Sequence, residues 1–72
     1  MKKITRNIRT EVKKLIVEVG GVDNILNKHI TRIYEKYTNE NERKKFNNKA
    51  VEVYTIIQNQ IDYFRYSKKE VI

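Results

Sequence analysis

The residues in this chain best suited to chemistry are four cations within its first fourteen positions. Lys2, Arg6, Arg9 and Lys13 are separated by four, three and four residues, so a helix would place them on one face. A row of cations at one-turn spacing can follow a phosphate backbone and release a counterion for each phosphate it neutralises. We therefore predict a basic stripe that binds nucleic-acid phosphates. Two further lysines flank the stripe and extend the prediction, Lys3 and Lys14.

The distribution of charge supports a charged partner for this segment. Sixteen Lys and Arg against nine Asp and Glu give a net charge of +7. Residues 1–14 carry six basic and one acidic side chain (+5), residues 15–42 three and five (−2), and residues 43–72 seven and three (+4). Such segregation favours an acidic partner, with nucleic acid and an acidic protein surface as the main alternatives and an anionic membrane surface, bound by the first helix, as a third and less favoured one. A solvated face that keeps the protein soluble is the competing interpretation.

A second basic cluster lies in the middle of the chain. Its members are Arg43, Lys44, Lys45 and Lys49, and we expect them to open the third helix. The helix dipole disfavours cations at that end, so an anionic partner would explain their placement. We predict that this cluster extends the phosphate-binding footprint, with ordinary surface charge as the alternative.

Aromatic and basic residues alternate near residue 65. Mixtures of this kind can stack bases and hold phosphates. Helical spacing already explains Tyr63 and Phe64 as packing residues, so only Tyr66 is a candidate for direct stacking. The neighbouring cations are Arg65, Lys68 and Lys69.

The composition argues against an enzyme and against a cofactor or metal site. The chain has no cysteine and one histidine, His29, so no cysteine- or histidine-based metal site is available. No nucleophile, base or carboxylate pair has the spacing of a catalytic group. We expect His29 to be a buried or hydrogen-bonded structural residue.

Two amphipathic helices account for the first half of the chain. Apolar residues recur at spacings of three and four over residues 3–19 and again over residues 22–37. Gly20 supplies a left-handed cap between them. A helix-turn-helix is the alternative for this pair, but Asp23 would open its second helix and repel phosphates.

A third, long helix is predicted over residues 40–66. Asn39 and Glu42 resemble a capping box at its start, and nothing inside it suggests a break. We expect the ends of the chain, including residues 67–72, to fray. Apolar residues at alternating spacings of four and three indicate a heptad-like seam that mediates a homodimer. The predicted interface consists of Ala50, Tyr54, Ile57, Ile61 and Phe64.

These observations combine into one interpretation of fold and function. We predict an all-α three-helix domain spanning residues 1–72, without a membrane span, located in the cytoplasm. The favoured function is non-enzymatic nucleic-acid binding, with DNA preferred, in a small regulatory or accessory protein. The alternative is a protein-interaction module, such as an inhibitor, adaptor or antitoxin-like protein, that binds an acidic protein surface.

Overall fold

Hydrophobic periodicity and local caps divide the chain into four α-helices. The computed structural model describes the backbone of residues 2–70 and the side chains of residues 2–67. The helices are α1 (Lys3–Val19), α2 (Asn27–Tyr37), α3 (Glu40–Lys45) and α4 (Asn48–Glu70). No strand occurs within residues 2–70, so the predicted all-helical fold with a long C-terminal helix is confirmed. No helix in this part of the chain combines the length and the hydropathy needed to cross a membrane.

Helix α1 ends at a glycine cap. Gly20 adopts a left-handed conformation, with φ 82° and ψ 25°. The N–H groups of Gly20 and Gly21 both donate to the carbonyl of Ile16, at 3.0 and 2.9 Å. These bonds satisfy a carbonyl that the end of the helix would leave without a partner. The bounds of α1 are those that the sequence predicts.

Helix α2 begins later than residue 22, where the sequence predicts its start. A single turn of 3-10 helix, Val22–Asn24, comes first and directs Val22 into the core, where it is 4% exposed. The backbone is then extended at Ile25 and Leu26. Helix α2 starts after Leu26 because the Leu26 N–H donates to Nδ1 of His29, at 2.9 Å. His29 is therefore a partly buried, hydrogen-bonded residue, as predicted.

The predicted third helix is two helices, α3 and α4, with a break at Phe46. Asn39 and Glu42 form the expected capping box, with both bonds at 2.8 Å. Phe46 then takes a left-handed conformation, with φ 47°. The side chain of Asn47 accepts from the N–H of Ala50, at 3.1 Å, and so caps α4. The left-handed backbone at Phe46 therefore ends α3, and the capping side chain of Asn47 starts α4.

Helix α4 continues to Glu70, four residues past its predicted end at residue 66. Residues 67–70 thus lengthen the predicted helix, and the fraying of residues 67–72 stays a prediction. Residues 1, 71 and 72, on which the rest of that prediction falls, lie outside the described part of the chain.

Helices α1 and α4 lie side by side and run parallel. Lys2 contacts Glu52, and Arg9 contacts Gln60, so residue numbers rise together along both helices. Helix α2 runs antiparallel to α1 and packs on both. The three helices enclose one core of buried side chains, formed by Ile8, Val12, Leu15, Val22, Ile33, Val53, Ile57 and Ile61.

Most residues of the predicted dimer seam are buried within the chain itself. Ala50 and Ile57 are fully buried and Ile61 is 3% exposed. Phe64 is partly buried against the same core. Only Tyr54, 42% exposed, remains available to a second subunit. The seam is heptad-like because α4 packs on α1 and α2, so its period does not require a partner chain.

Candidate nucleic-acid interface

The fold divides the predicted basic stripe between two environments. Lys2 forms an ion pair with Glu52, with Nζ 3.3 Å from Oε2. The Nε of Arg9 donates to Oε1 of the buried Gln60 at 2.7 Å. The guanidinium carbon of Arg9 also lies 4.7 Å from the centroid of the Tyr63 ring. These two cations therefore attach α1 to α4, and their freedom to reach a phosphate is reduced.

The other two members of the stripe, Arg6 and Lys13, point into solvent. They belong to a continuous exposed face of α1 whose members recur at spacings of three and four residues. No acidic residue lies on this face, and no hydrogen bond or ion pair engages the side chain of any of its four cations within the described residues. We call it the outer face of α1, and it consists of Lys3, Arg6, Asn7, Thr10, Lys13, Lys14 and Val17.

Helical geometry arranges the four cations of the outer face in two rows. At 100° per residue, Arg6 and Lys13 fall on one side of the face. Lys3 and Lys14 fall on the other side, and the rows extend over about 16 Å of helix. The two rows thus lie on either side of the line where α1 is farthest from the core.

The two acidic side chains of α1 form ion pairs with cations of α2. Glu11 accepts from Nζ of Lys36 at 2.7 Å, and Glu18 lies 3.8 Å from Arg32. The hydrogen bond and charge of Glu11 raise the pKa of Lys36 above its ordinary value of 10.5, so Lys36 stays charged at neutral pH. The acids beside the outer face consequently leave its positive potential in place.

The second basic cluster lies at a different helix end from the one that the sequence predicts. Arg43, Lys44 and Lys45 form the last turn of α3, where the dipole favours cations. The argument that an anionic partner must offset the dipole is therefore wrong for these three residues. Lys49 lies in the first turn of α4 and is partly buried.

Arg43 has an intramolecular role. Its Nη1 donates to the carbonyl of Thr38, to the hydroxyl of Thr38 at 3.2 Å and to the carbonyl of Glu35 at 3.3 Å. These acceptors lie at the C-terminus of α2, which has carbonyls without helical partners. Arg43 thus fastens α3 to α2. Lys44 and Lys45 remain exposed beside it.

The aromatic residues of α4 differ in exposure from what spacing predicts. Tyr63 is 50% exposed and packs against Arg9 rather than inside the core. Phe64 is partly buried, and Tyr66 is 58% exposed. The side chains of Lys68 and Lys69 lie outside the described residues. The contact between Tyr63 and Arg9 could not be predicted from the sequence, because the two residues are far apart along the chain and no local signal links them.

Metal binding finds no support among the described residues. Among the side chains of residues 2–67, no group of three or more His, Asp or Glu residues is placed to hold a metal ion.

Comparisons of this chain with protein-family models, with curated proteins and with solved structures found no match.

Proposed function

We propose that this chain is a non-enzymatic nucleic-acid-binding protein, with DNA as its preferred partner, that acts in the cytoplasm as a small regulatory or accessory protein. The observation behind the proposal is the outer face of α1. It holds four exposed cations without internal partners and no acid.

The pairing of charges within the chain strengthens this proposal. Among residues 2–67, five of the eight acidic side chains form ion pairs, and Glu42 caps α3. None of the four outer-face cations is among the partners of these acids. Four phosphate contacts by such cations give a slope of log affinity against log salt of about −3.6. Lys44 and Lys45 extend this surface if the bound backbone reaches α3.

The homodimer is a further part of the proposal. Since Ala50, Ile57 and Ile61 are buried within the chain, a dimer along α4 has Tyr54 as its remaining seam residue. Two copies would present two outer faces to one nucleic acid and raise affinity through avidity.

A titration with two matched lysine variants tests the binding surface. Lys13 and Lys28 are both exposed, lie on helices and have no internal partner among the described residues, but only Lys13 belongs to the outer face. We expect Lys13→Ala to weaken binding to a fluorescent DNA duplex and to reduce the salt slope by about one unit. Lys28→Ala removes the same charge and should change neither quantity. Equal effects of the two variants would mean that net charge, not this face, governs binding.

A second pair of variants separates binding from folding. Arg6→Ala should weaken DNA binding with little change in thermal stability, because Arg6 is exposed and its side chain has no partner. Arg9→Ala leaves the buried Oε1 of Gln60 without its donor, and we expect a loss of about 1–3 kcal/mol in the free energy of unfolding. No binding by the wild type to duplex DNA, single-stranded DNA or RNA at low salt would instead favour an acidic protein surface as the partner.

A further inference from the structure

A neutral ridge runs along the outer face, on the line between its two cation rows. Thr10 falls between the rows, and Val17, seven residues later and within about 20° of Thr10 around α1, continues the line about 4.5 Å beyond Lys14. Val17 is 82% exposed, more than any other large apolar side chain described as exposed. The hydroxyl of Thr10 donates to the carbonyl of Arg6 at 3.1 Å, so its methyl group is the free end of the side chain. The ridge therefore presents methyl groups along the line between two rows of positive charge.

From this arrangement we infer that α1 binds in the major groove of duplex DNA, with its ridge against the methyl groups of thymines. The inference rests on the proposed function and specifies its ligand, duplex DNA that contains thymine. A helix with side chains is about 10–12 Å across, and the major groove is about 12 Å wide. A phosphate backbone borders the groove on each side, as a cation row borders each side of the ridge. The width of α1 and the placement of its cations thus both match the major groove.

The chemistry of the ridge matches the floor of that groove. Thymine presents its C5 methyl group there, and apolar contacts from valine and from the threonine methyl are suited to it. An exposed valine at the end of a basic face gains little in water, whereas contact with a thymine methyl removes both groups from water.

Other nucleic-acid geometries fit this face less well. The minor groove is about 6 Å wide and cannot admit a helix. Single strands are held by aromatic rings on which bases stack, and the outer face has none. Tyr63 is the nearest candidate on α4, but Arg9 already lies over its ring at 4.7 Å.

A thymine-to-uracil exchange tests the inference directly. The probes are two short alternating duplexes, one of adenine and thymine and one of adenine and uracil, which differ only in the C5 methyl groups. We expect the wild type to bind the thymine duplex more tightly, by about fourfold for each methyl group buried. The double variant Thr10→Ser, Val17→Ser should lose this preference. It retains the Thr10 hydroxyl bond and all four cations, so its salt slope should match that of the wild type.

The controls separate this inference from the proposed function. Thr55→Ser removes a methyl group from an exposed position on α4 and should retain the thymine preference. Equal affinity of the wild type for the two duplexes overturns the groove inference and leaves DNA binding intact. A preference that survives in the double variant, or tighter binding to single strands than to duplex, overturns it as well. Absence of binding to every probe at low salt overturns both proposals.

Discussion

At the scale of single residues, two adjacent glycines adopt backbone conformations that other residue types rarely adopt. Gly20 is left-handed, and Gly21, with φ 140° and ψ 153°, occupies a region that is essentially restricted to glycine. A Cβ at either position would meet only Nδ2 of Asn24, at 3.7 and 3.8 Å, which is ordinary contact. The cost of a side chain at these positions is therefore conformational and not steric crowding by the core.

We predict that Gly21→Ala lowers the free energy of unfolding by about 1–3 kcal/mol. Gly20→Asn should cost less, because asparagine tolerates the left-handed region. Urea denaturation followed by circular dichroism measures both. Equal losses for the two variants would show that the backbone at Gly21 relaxes when a side chain is present.

Phe46 adopts a backbone conformation that is unfavourable for phenylalanine. It has φ 47° without being glycine, and its ring is 56% exposed. We predict that Phe46→Gly raises the free energy of unfolding by about 1 kcal/mol, since glycine adopts this conformation without a steric penalty. Phe46→Ala is the control because it removes the ring but retains the Cβ. A gain in the alanine variant as large as in the glycine variant would assign the effect to the ring.

At the scale of helices, Arg43 determines how α3 attaches to α2. It donates to two carbonyls and a hydroxyl at the end of α2. Lysine at this position retains the charge but cannot reproduce the planar set of donors. We predict that Arg43→Lys lowers the free energy of unfolding by about 1 kcal/mol and leaves DNA affinity unchanged. A loss of affinity in a variant of unaltered stability would instead place Arg43 among the phosphate contacts.

Helix ends could be predicted from sequence where their signals are local. The glycine cap of α1 and the capping box of α3 each involve neighbours within a few residues, and both were found. The break at Phe46 was missed because phenylalanine is not a helix breaker. The signal for it was Asn47, whose side chain caps α4.

The partners of the cations could not be predicted in the same way. Arg6 and Arg9 are chemically identical and nearly adjacent, yet only Arg9 meets Gln60, which is 51 positions away. A row of charges along one helix therefore predicts which side chains share a face. It does not predict which of them the rest of the fold will engage.

At the scale of the whole molecule, variants at two residues of the predicted seam can test the fold and the proposed dimer separately. Ile57 is fully buried, whereas Tyr54 is 42% exposed beside Tyr34. We predict that Ile57→Asp unfolds the chain, because burying an unpaired carboxylate costs several kcal/mol against a total stability of roughly 5–15 kcal/mol. Tyr54→Asp should remain helical and convert the proposed homodimer into a monomer.

Sedimentation and circular dichroism on both variants provide the test. A folded Tyr54→Asp variant with the mass of the wild-type dimer would exclude a dimer along α4. A folded Ile57→Asp variant would contradict the core itself.

The parallel arrangement of α1 and α4 also has a consequence for the order in which the molecule can be assembled. The contacts of Lys2 with Glu52 and of Arg9 with Gln60 join residues 50 and 51 positions apart. Of the four helices, α1 is synthesised first, but part of the surface that covers its apolar side belongs to α4, the last of the four. Most of the stability of a helix in a protein comes from packing of its apolar face. Helix α1 therefore becomes rigid only after α4 has been synthesised, so a nascent chain that lacks α4 does not present the preorganised outer face of the folded domain.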